Sequence, residues 1–212
     1  MKQMVNFFLK EEWKGKYAIV GAFLYIFTAV LITFLSLPGM DPLQYSAIFW
    51  VVVIFTTLTG ISKSFMQMRK GNFAFWQQMC SPSVFLGARL LTSFILMCVF
   101  TTFAFGVFSL MHGSIANAWQ FLCITLITGA GISSIFTISS SIATKTDNPG
   151  VLLPVLTFPV IMPVVLIGVK AGRKAVEQLD FSTILPEIGL LILFDILIVA
   201  LGLMLIKFIW KE

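Results

Sequence analysis

The residues able to do chemistry in this chain are few and far apart. One histidine, His112, and three cysteines, Cys80, Cys98 and Cys123, make no CxxC or Cys/His spacing that would hold a metal. No Ser/His/Asp set and no pair of carboxylates emerges, and the nucleotide-binding pattern GxxxxGK[ST] is missing, so neither catalysis nor ATP binding is expected of this chain. Asp195 stands in the middle of an apolar run, where a lone carboxylate must turn inward and find a hydrogen-bond partner or bind a proton. Gly129, Ser133, Thr137 and Ser141 follow one another at i+4 steps, a spacing that suits close helix packing or the wall of a polar path. Pro154, Pro159 and Pro163 interrupt another apolar run, each removing a backbone hydrogen bond. Finally, Phe73, Phe75, Trp76 and Met79 crowd a short polar connection beside Arg69 and Lys70, the residue types that anchor interfaces.

The elements that must position these residues are membrane spans. Of the 212 residues 58% are hydrophobic and 11% charged, whereas a soluble domain carries about 25% charged residues to hydrate its surface. Mean hydropathy is +1.00, and the apolar residues fall into blocks near the length that crosses roughly 30 Å of hydrocarbon. Six spans are expected near 17–37, 46–66, 84–111, 119–143, 151–169 and 187–206, making an all-α integral membrane protein with one domain over 1–212. The first block is too long for a signal peptide and has bulky residues where cleavage needs small ones, so it is expected to stay.

The basic residues flank these blocks rather than lining a groove, which argues against nucleic acid. With the N-terminus in the cytoplasm, Lys2, Lys10, Lys14, Lys16, Lys63, Arg69, Lys70, Arg89, Lys145, Lys207 and Lys211 lie inside and only Lys170, Arg173 and Lys174 outside. That asymmetry predicts both ends inside. Before the first span, Val5, Phe8, Leu9 and Trp13 recur at helical spacing among lysines, predicting an interfacial amphipathic helix over 1–16 on the lipid bilayer, with Glu12 awkwardly close to its apolar stripe. Between spans two and three, Gly71 breaks the chain, and Ser81 with Pro82 marks a fresh helix start. The aromatic segment they enclose has the makings of a docking helix.

The run Arg69-Lys70-Gly71, then Met79-Cys80-Ser81-Pro82, then Arg89 opening the next span, resembles ABC-2 transporter permeases, in which the enclosed segment is the coupling helix that enters a cleft on the ATPase. More closely, three stretches resemble the haem exporter protein B (CcmB) family of bacterial cytochrome c maturation. They are Lys10-Glu11-Glu12-Trp13-Lys14-Gly15-Lys16-Tyr17, Ala47-Ile48-Phe49-Trp50 into Lys63-Ser64-Phe65-Met66-Gln67, and Leu156-Thr157-Phe158-Pro159-Val160-Ile161-Met162-Pro163. Lys14 stands where the family pattern has Arg. The resemblance implies a multi-pass permease subunit of the bacterial inner membrane. Its partners would be a separate ATPase subunit (CcmA), the haem-handling membrane proteins CcmC and CcmD and the periplasmic haem chaperone CcmE. It further implies a homodimer, no tightly bound cofactor, and haem as candidate cargo.

Under that resemblance His112, at the outer end of span three, is a candidate haem ligand, set against the plain reading of an interfacial polar residue. Arg173 and Lys174 are candidate contacts for haem propionates or an acidic partner face, set against a solvated loop. The competing functions are an ABC-2 permease for another cargo, such as a drug or polysaccharide, and a membrane scaffold that transports nothing.

Overall fold

The computed structural model describes residues 2–14, 16–37, 39–67, 80–113, 117–143, 146 and 149–209, and all regular structure among them is helical. We number the helices α1 (Lys2–Lys14), α2 (Lys16–Ser36), α3 (Pro42–Gln67), α4 (Pro82–His112), α5 (Ala118–Ala143), α6 (Pro149–Val176) and α7 (Phe181–Ile209). Helices α2 to α7 are each long and apolar enough to cross a membrane, and they overlie the six expected spans. Contacts between neighbours place the start of α4 at the same end of the bundle as α1, and the end of α4 beside the start of α3.

Small residues decide which helix is central. α5 packs against α3, α4, α6 and α7, whereas α2 touches the bundle chiefly through α3 and α4. Lipid tails supply no hydrophobic force between spans, so association depends on close van der Waals fit, which Gly, Ala, Ser and Thr permit. A methyl group on Gly168 of α6 would lie 2.7 Å from Thr128 Cγ2 of α5, and one on Gly60 of α3 would lie 2.7 Å from the Phe100 ring of α4. The buried hydroxyls are satisfied largely within their own helices. Thr56, Thr57, Thr92, Thr101, Thr125, Thr137 and Thr157 each donate to the carbonyl four residues back. A polar group can thus be buried at membrane depth without seeking a partner across the bundle.

Two helix ends differ instructively. α4 begins as its sequence predicts, with Pro82 in the first turn after Ser81. The Ser81 side chain makes no capping bond; its carbonyl accepts from Val84 and Phe85 instead. α6 runs past its expected end to Val176 and closes on Gln178, a non-glycine residue at φ 61°. There Leu179 N–H donates to Lys174 O and Gln178 N–H to Ala175 O, the paired bonds of a Schellman turn. The connection to α7 is therefore tight, and α7 starts at Phe181 rather than near 187. Residues expected in a long outer connection lie instead on two packed helix ends.

Candidate functional site

The charged residues that α1 and α4 bring together form the most enclosed polar site. α1 turns Met4, Val5 and Phe8 toward Phe85, Ala88 and Cys80. Phe8 is fully buried and meets the Phe85 ring edge-on at 5.7 Å. Arg89, 2% exposed, lies with its guanidinium carbon 4.6 Å over the Phe8 ring and donates from Nη1 to Glu12 Oε1 at 2.9 Å. Burial holds the Glu12 carboxyl above the usual carboxylate range, and the Arg89 guanidinium offsets that rise only in part. Breaking an enclosed ion pair typically costs about 3–5 kcal/mol, and here Glu11 still acts on the Arg89 charge when Glu12 is removed. The position of Glu12 near the apolar stripe is thereby explained: it faces protein, while Phe7, Lys10 and Trp13 face outward.

A second cluster joins the tight corner between α6 and α7. Glu187, 5% exposed, accepts from Lys174 at 2.8 Å and pairs with Lys170 at 3.2 Å. Lys174 also donates to the Thr183 carbonyl at 2.7 Å, and Arg173 pairs with Glu177 at 2.7 Å. The three basic residues expected on the outer side thus all meet acids of the same chain. Arg173 and Lys174, the candidate propionate contacts, stand on the last turn of α6 rather than on a loop, with Arg173 about half exposed. Sequence reasoning missed Glu187 altogether. The signal was available as an acid at the head of one apolar run and lysines at the tail of the one before it.

Asp195, eight residues further along α7, lies at membrane depth against α5. Its Oδ1 is buried and has no hydrogen-bond partner among the described residues, and it occupies the space that a side chain on Gly131 would need. Val164 of α6 closes the same pocket, 3.2 Å from that position. The neighbour is the helix that carries Gly129, Ser133, Thr137 and Ser141, and the contact is made at a glycine rather than a hydroxyl.

The four residues of the seam on α5 are all buried. Gly129 faces Met97 and Thr101 of α4, the Thr137 hydroxyl lies 2.9 Å from the Ser93 hydroxyl and accepts from it, and Ser133 and Ser141 donate to carbonyls of their own helix. The prolines of α6 leave one continuous helix rather than a broken one: Pro154 and Pro163 are half-buried and Pro159 is exposed, while Leu153, Thr157, Ile161 and Val164 make the inward face.

His112 ends α4 among aromatic rings. It stacks on Phe108 at 5.4 Å and meets Phe34 and Tyr45 edge-on at 5.6 and 6.3 Å. Among the described residues no group of three or more His, Cys, Asp or Glu is placed to hold a metal ion. An open groove of about 690 Å³ between α2 and α4, lined by Phe23, Cys98, Val99, Phe103, Gly106 and Leu110, is apolar and brings no charged group to bear. Arg69, Lys70, Phe73, Phe75, Trp76 and Met79, the expected coupling residues, lie outside the described residues.

No curated protein matches this chain. A family model does, that of the CcmB protein, and it covers residues 9–207. That interval starts inside α1 just after Phe8, takes in Glu12, Arg89, Glu187 and Asp195 and ends within α7, and this multi-pass membrane protein belongs to the CcmB family.

Proposed function

We propose that this chain is the permease subunit of an ABC-type complex that handles haem during c-type cytochrome maturation. Family membership suggests a haem-exporter permease component, and the match from residue 9 to 207 is the observation that carries the reading. The chain lacks a nucleotide-binding loop, so ATP hydrolysis falls to a separate ATPase subunit, CcmA in this family. CcmC, CcmD and the chaperone CcmE are the haem-handling partners on the same reading, and haem is the cargo or the group whose release is driven.

The chain sits in the bacterial inner membrane with both ends in the cytoplasm, an orientation supported by the excess of Lys and Arg at the α1 end. α1 then lies at the cytoplasmic headgroup layer. Exposed Phe7 and Trp13 suit that layer, while Phe8 holds the helix to protein. A homodimer is supported by α6. Pro159 and Pro163 free the carbonyls of Val155 and Pro159, which belong to the exposed face of that helix. Unsatisfied backbone at membrane depth is tolerated against protein or a water-filled path rather than against lipid, so a second copy or the path itself belongs there.

Coupling to the ATPase runs through the segment between α3 and α4, with Phe73, Phe75, Trp76 and Met79 as anchors and Arg69 and Lys70 at its rim. Burying an aromatic anchor such as Trp76 contributes about 2 kcal/mol or more to an interface, whereas a Trp resting on lipid contributes nothing to subunit affinity. Trp76→Ala combined with Phe73→Ala is expected to leave the protein inserted while weakening ATPase co-purification and cytochrome production together. Undiminished pull-down and maturation at normal membrane abundance would refute the coupling role.

A further inference from the structure

The buried ion pair between α1 and α4 lies at a strategic place in the chain. Arg89 is about two turns into the helix that begins directly after the 68–79 segment, and Glu12 precedes the junction of α1 with α2 by about one turn. The pair thus ties the first turns of α4 to the last turn of α1, just ahead of the first span. Contacts that hold it in register include the 2.9 Å ion pair, the guanidinium over Phe8 and the edge-on packing of Phe8 on Phe85. With Arg89 2% exposed and the Glu12 side chain 11% exposed, water is not at hand to replace one partner gradually. Such a link is closed or open and does not stretch, because parting the charges means solvating both.

Any force on the 68–80 segment that shifts the start of α4 must therefore carry α1 along or break this pair. We propose that Glu12 and Arg89 form a positioning latch, which fixes α1 to the head of α4 so that movement of the coupling segment passes into the spans as one rigid step. The latch rests on the reading of that segment as the ATPase contact. Glu12 and Arg89 are positioning residues in it: they act through α4 and touch neither nucleotide nor cargo. Phe8 belongs to the same device, since it is the platform on which the guanidinium rests.

A latch and a purely structural brace differ in what fails when the pair is broken. Breaking a latch leaves the ATPase bound and turning over while its work no longer reaches the membrane; breaking a brace lowers the amount of folded protein. The experiment uses the complete complex in membranes with three variants: Glu12→Gln, the charge swap Glu12→Arg with Arg89→Glu, and the aromatic double variant Phe73→Ala with Trp76→Ala. Membrane abundance, ATPase co-purification, ATP hydrolysis and c-type cytochrome yield are read for each.

In Glu12→Gln the cost of the lost pair falls on the α1–α4 contact, so α1 is expected to part from α4 while the span bundle keeps its abundance, co-purification and hydrolysis and cytochrome yield falls about tenfold, within the usual range of coupling energies between sites. The swap should recover most of the yield, because it restores the attraction with the charges exchanged. Full yield in Glu12→Gln at normal abundance overturns the latch. So does a fall in yield that only follows a fall in abundance, and so does a swap that inserts normally without recovery. The aromatic double variant separates this from the parent reading. If it keeps its ATPase the coupling assignment has failed, whereas if it loses the ATPase while Glu12→Gln matures cytochromes normally the latch alone has failed.

Discussion

Two acids stand on α7, about 12 Å apart along the helix axis, and they are treated in opposite ways. Glu187, at the corner with α6, receives Lys174 at 2.8 Å and Lys170 at 3.2 Å. Asp195, at membrane depth, receives no hydrogen bond at Oδ1 from the described residues and rests on Gly131 and Val164. The difference comes from what the neighbouring helices offer. At the corner, the Schellman turn at Gln178 folds α7 straight back along α6, so two lysines one turn apart reach one carboxylate. At depth, the close approach of α5 requires a glycine, which brings backbone and no side-chain donor. One acid fastens a joint by charge; the other is tolerated through shape.

The largest effect is expected from reversing the charge at the joint. Glu187→Lys places a third cation against Lys170 and Lys174 in a position that is 5% exposed. It both breaks the pairs and adds repulsion, so a loss of about 3–5 kcal/mol is expected, a large part of the roughly 5–15 kcal/mol that holds a typical domain together. Glu187→Gln keeps an acceptor for Lys174 and should lose much less. Thermal unfolding in detergent measures both. Equal midpoints for wild type and Glu187→Lys would mean that apolar packing around Ala171, Ala175 and Ile184 holds the corner unaided.

The contrast also marks what could be read from residues alone. The six spans were legible, because length and hydrophobicity suffice to define them, and so were the α4 start at Ser81-Pro82 and the helix before the first span. The α6–α7 corner was not. Lys170, Arg173, Lys174, Pro186 and Glu187 have the composition of a loop, and only their pairing across a turn makes them helix ends. The face of α1 was half legible: Val5 and Phe8 turn inward as their spacing predicts, but Trp13 turns out and Glu12 turns in, because the partner on α4 is an arginine. Asp195 was legible as an inward-facing acid. Its neighbour was not, since nothing in the spacing of Gly129, Ser133, Thr137 and Ser141 singles out Gly131, which belongs to a different face of the same helix.

The middle-sized effect tests the claim of shape at Asp195. A methyl on Gly131 would occupy the place of Asp195 Oδ1 and come within 3.2 Å of Val164 Cγ1. Overpacking of this kind costs about 1–3 kcal/mol. Gly129→Ala should cost less, because its neighbour at 3.3 Å is the flexible Met97 side chain. The sharper measurement is the double change. If Asp195 is what stands in the way, Gly131→Ala together with Asp195→Ala will lose less than the sum of the two single changes, as contacting residues do. Additive losses would place the obstruction at Val164 instead.

The smallest effect is expected from Asp195→Asn, and it decides whether shape is the whole account of this acid. An amide has nearly the outline of a carboxylic acid, and the neutral acid is the form in which a lone carboxyl at this depth costs least. If the side chain serves only to fill the space between Gly131 and Val164, the amide will keep abundance, thermal stability within about 1 kcal/mol of wild type and normal cytochrome yield. Asp195→Ala on its own should be worse than the amide, since it opens a void beside Gly131. The contrary result is equally definite: a variant that inserts, melts normally and binds its ATPase, yet matures no cytochrome, would show that the ionisable group itself is used. Glu187 supplies the internal control on the same helix. Its amide should be weakened in stability first, with yield following the amount of folded protein, because the work of that acid is done by its two lysine partners. A split between yield and stability at 195, set against their common fall at 187, would turn the structural contrast between the two acids into a functional one.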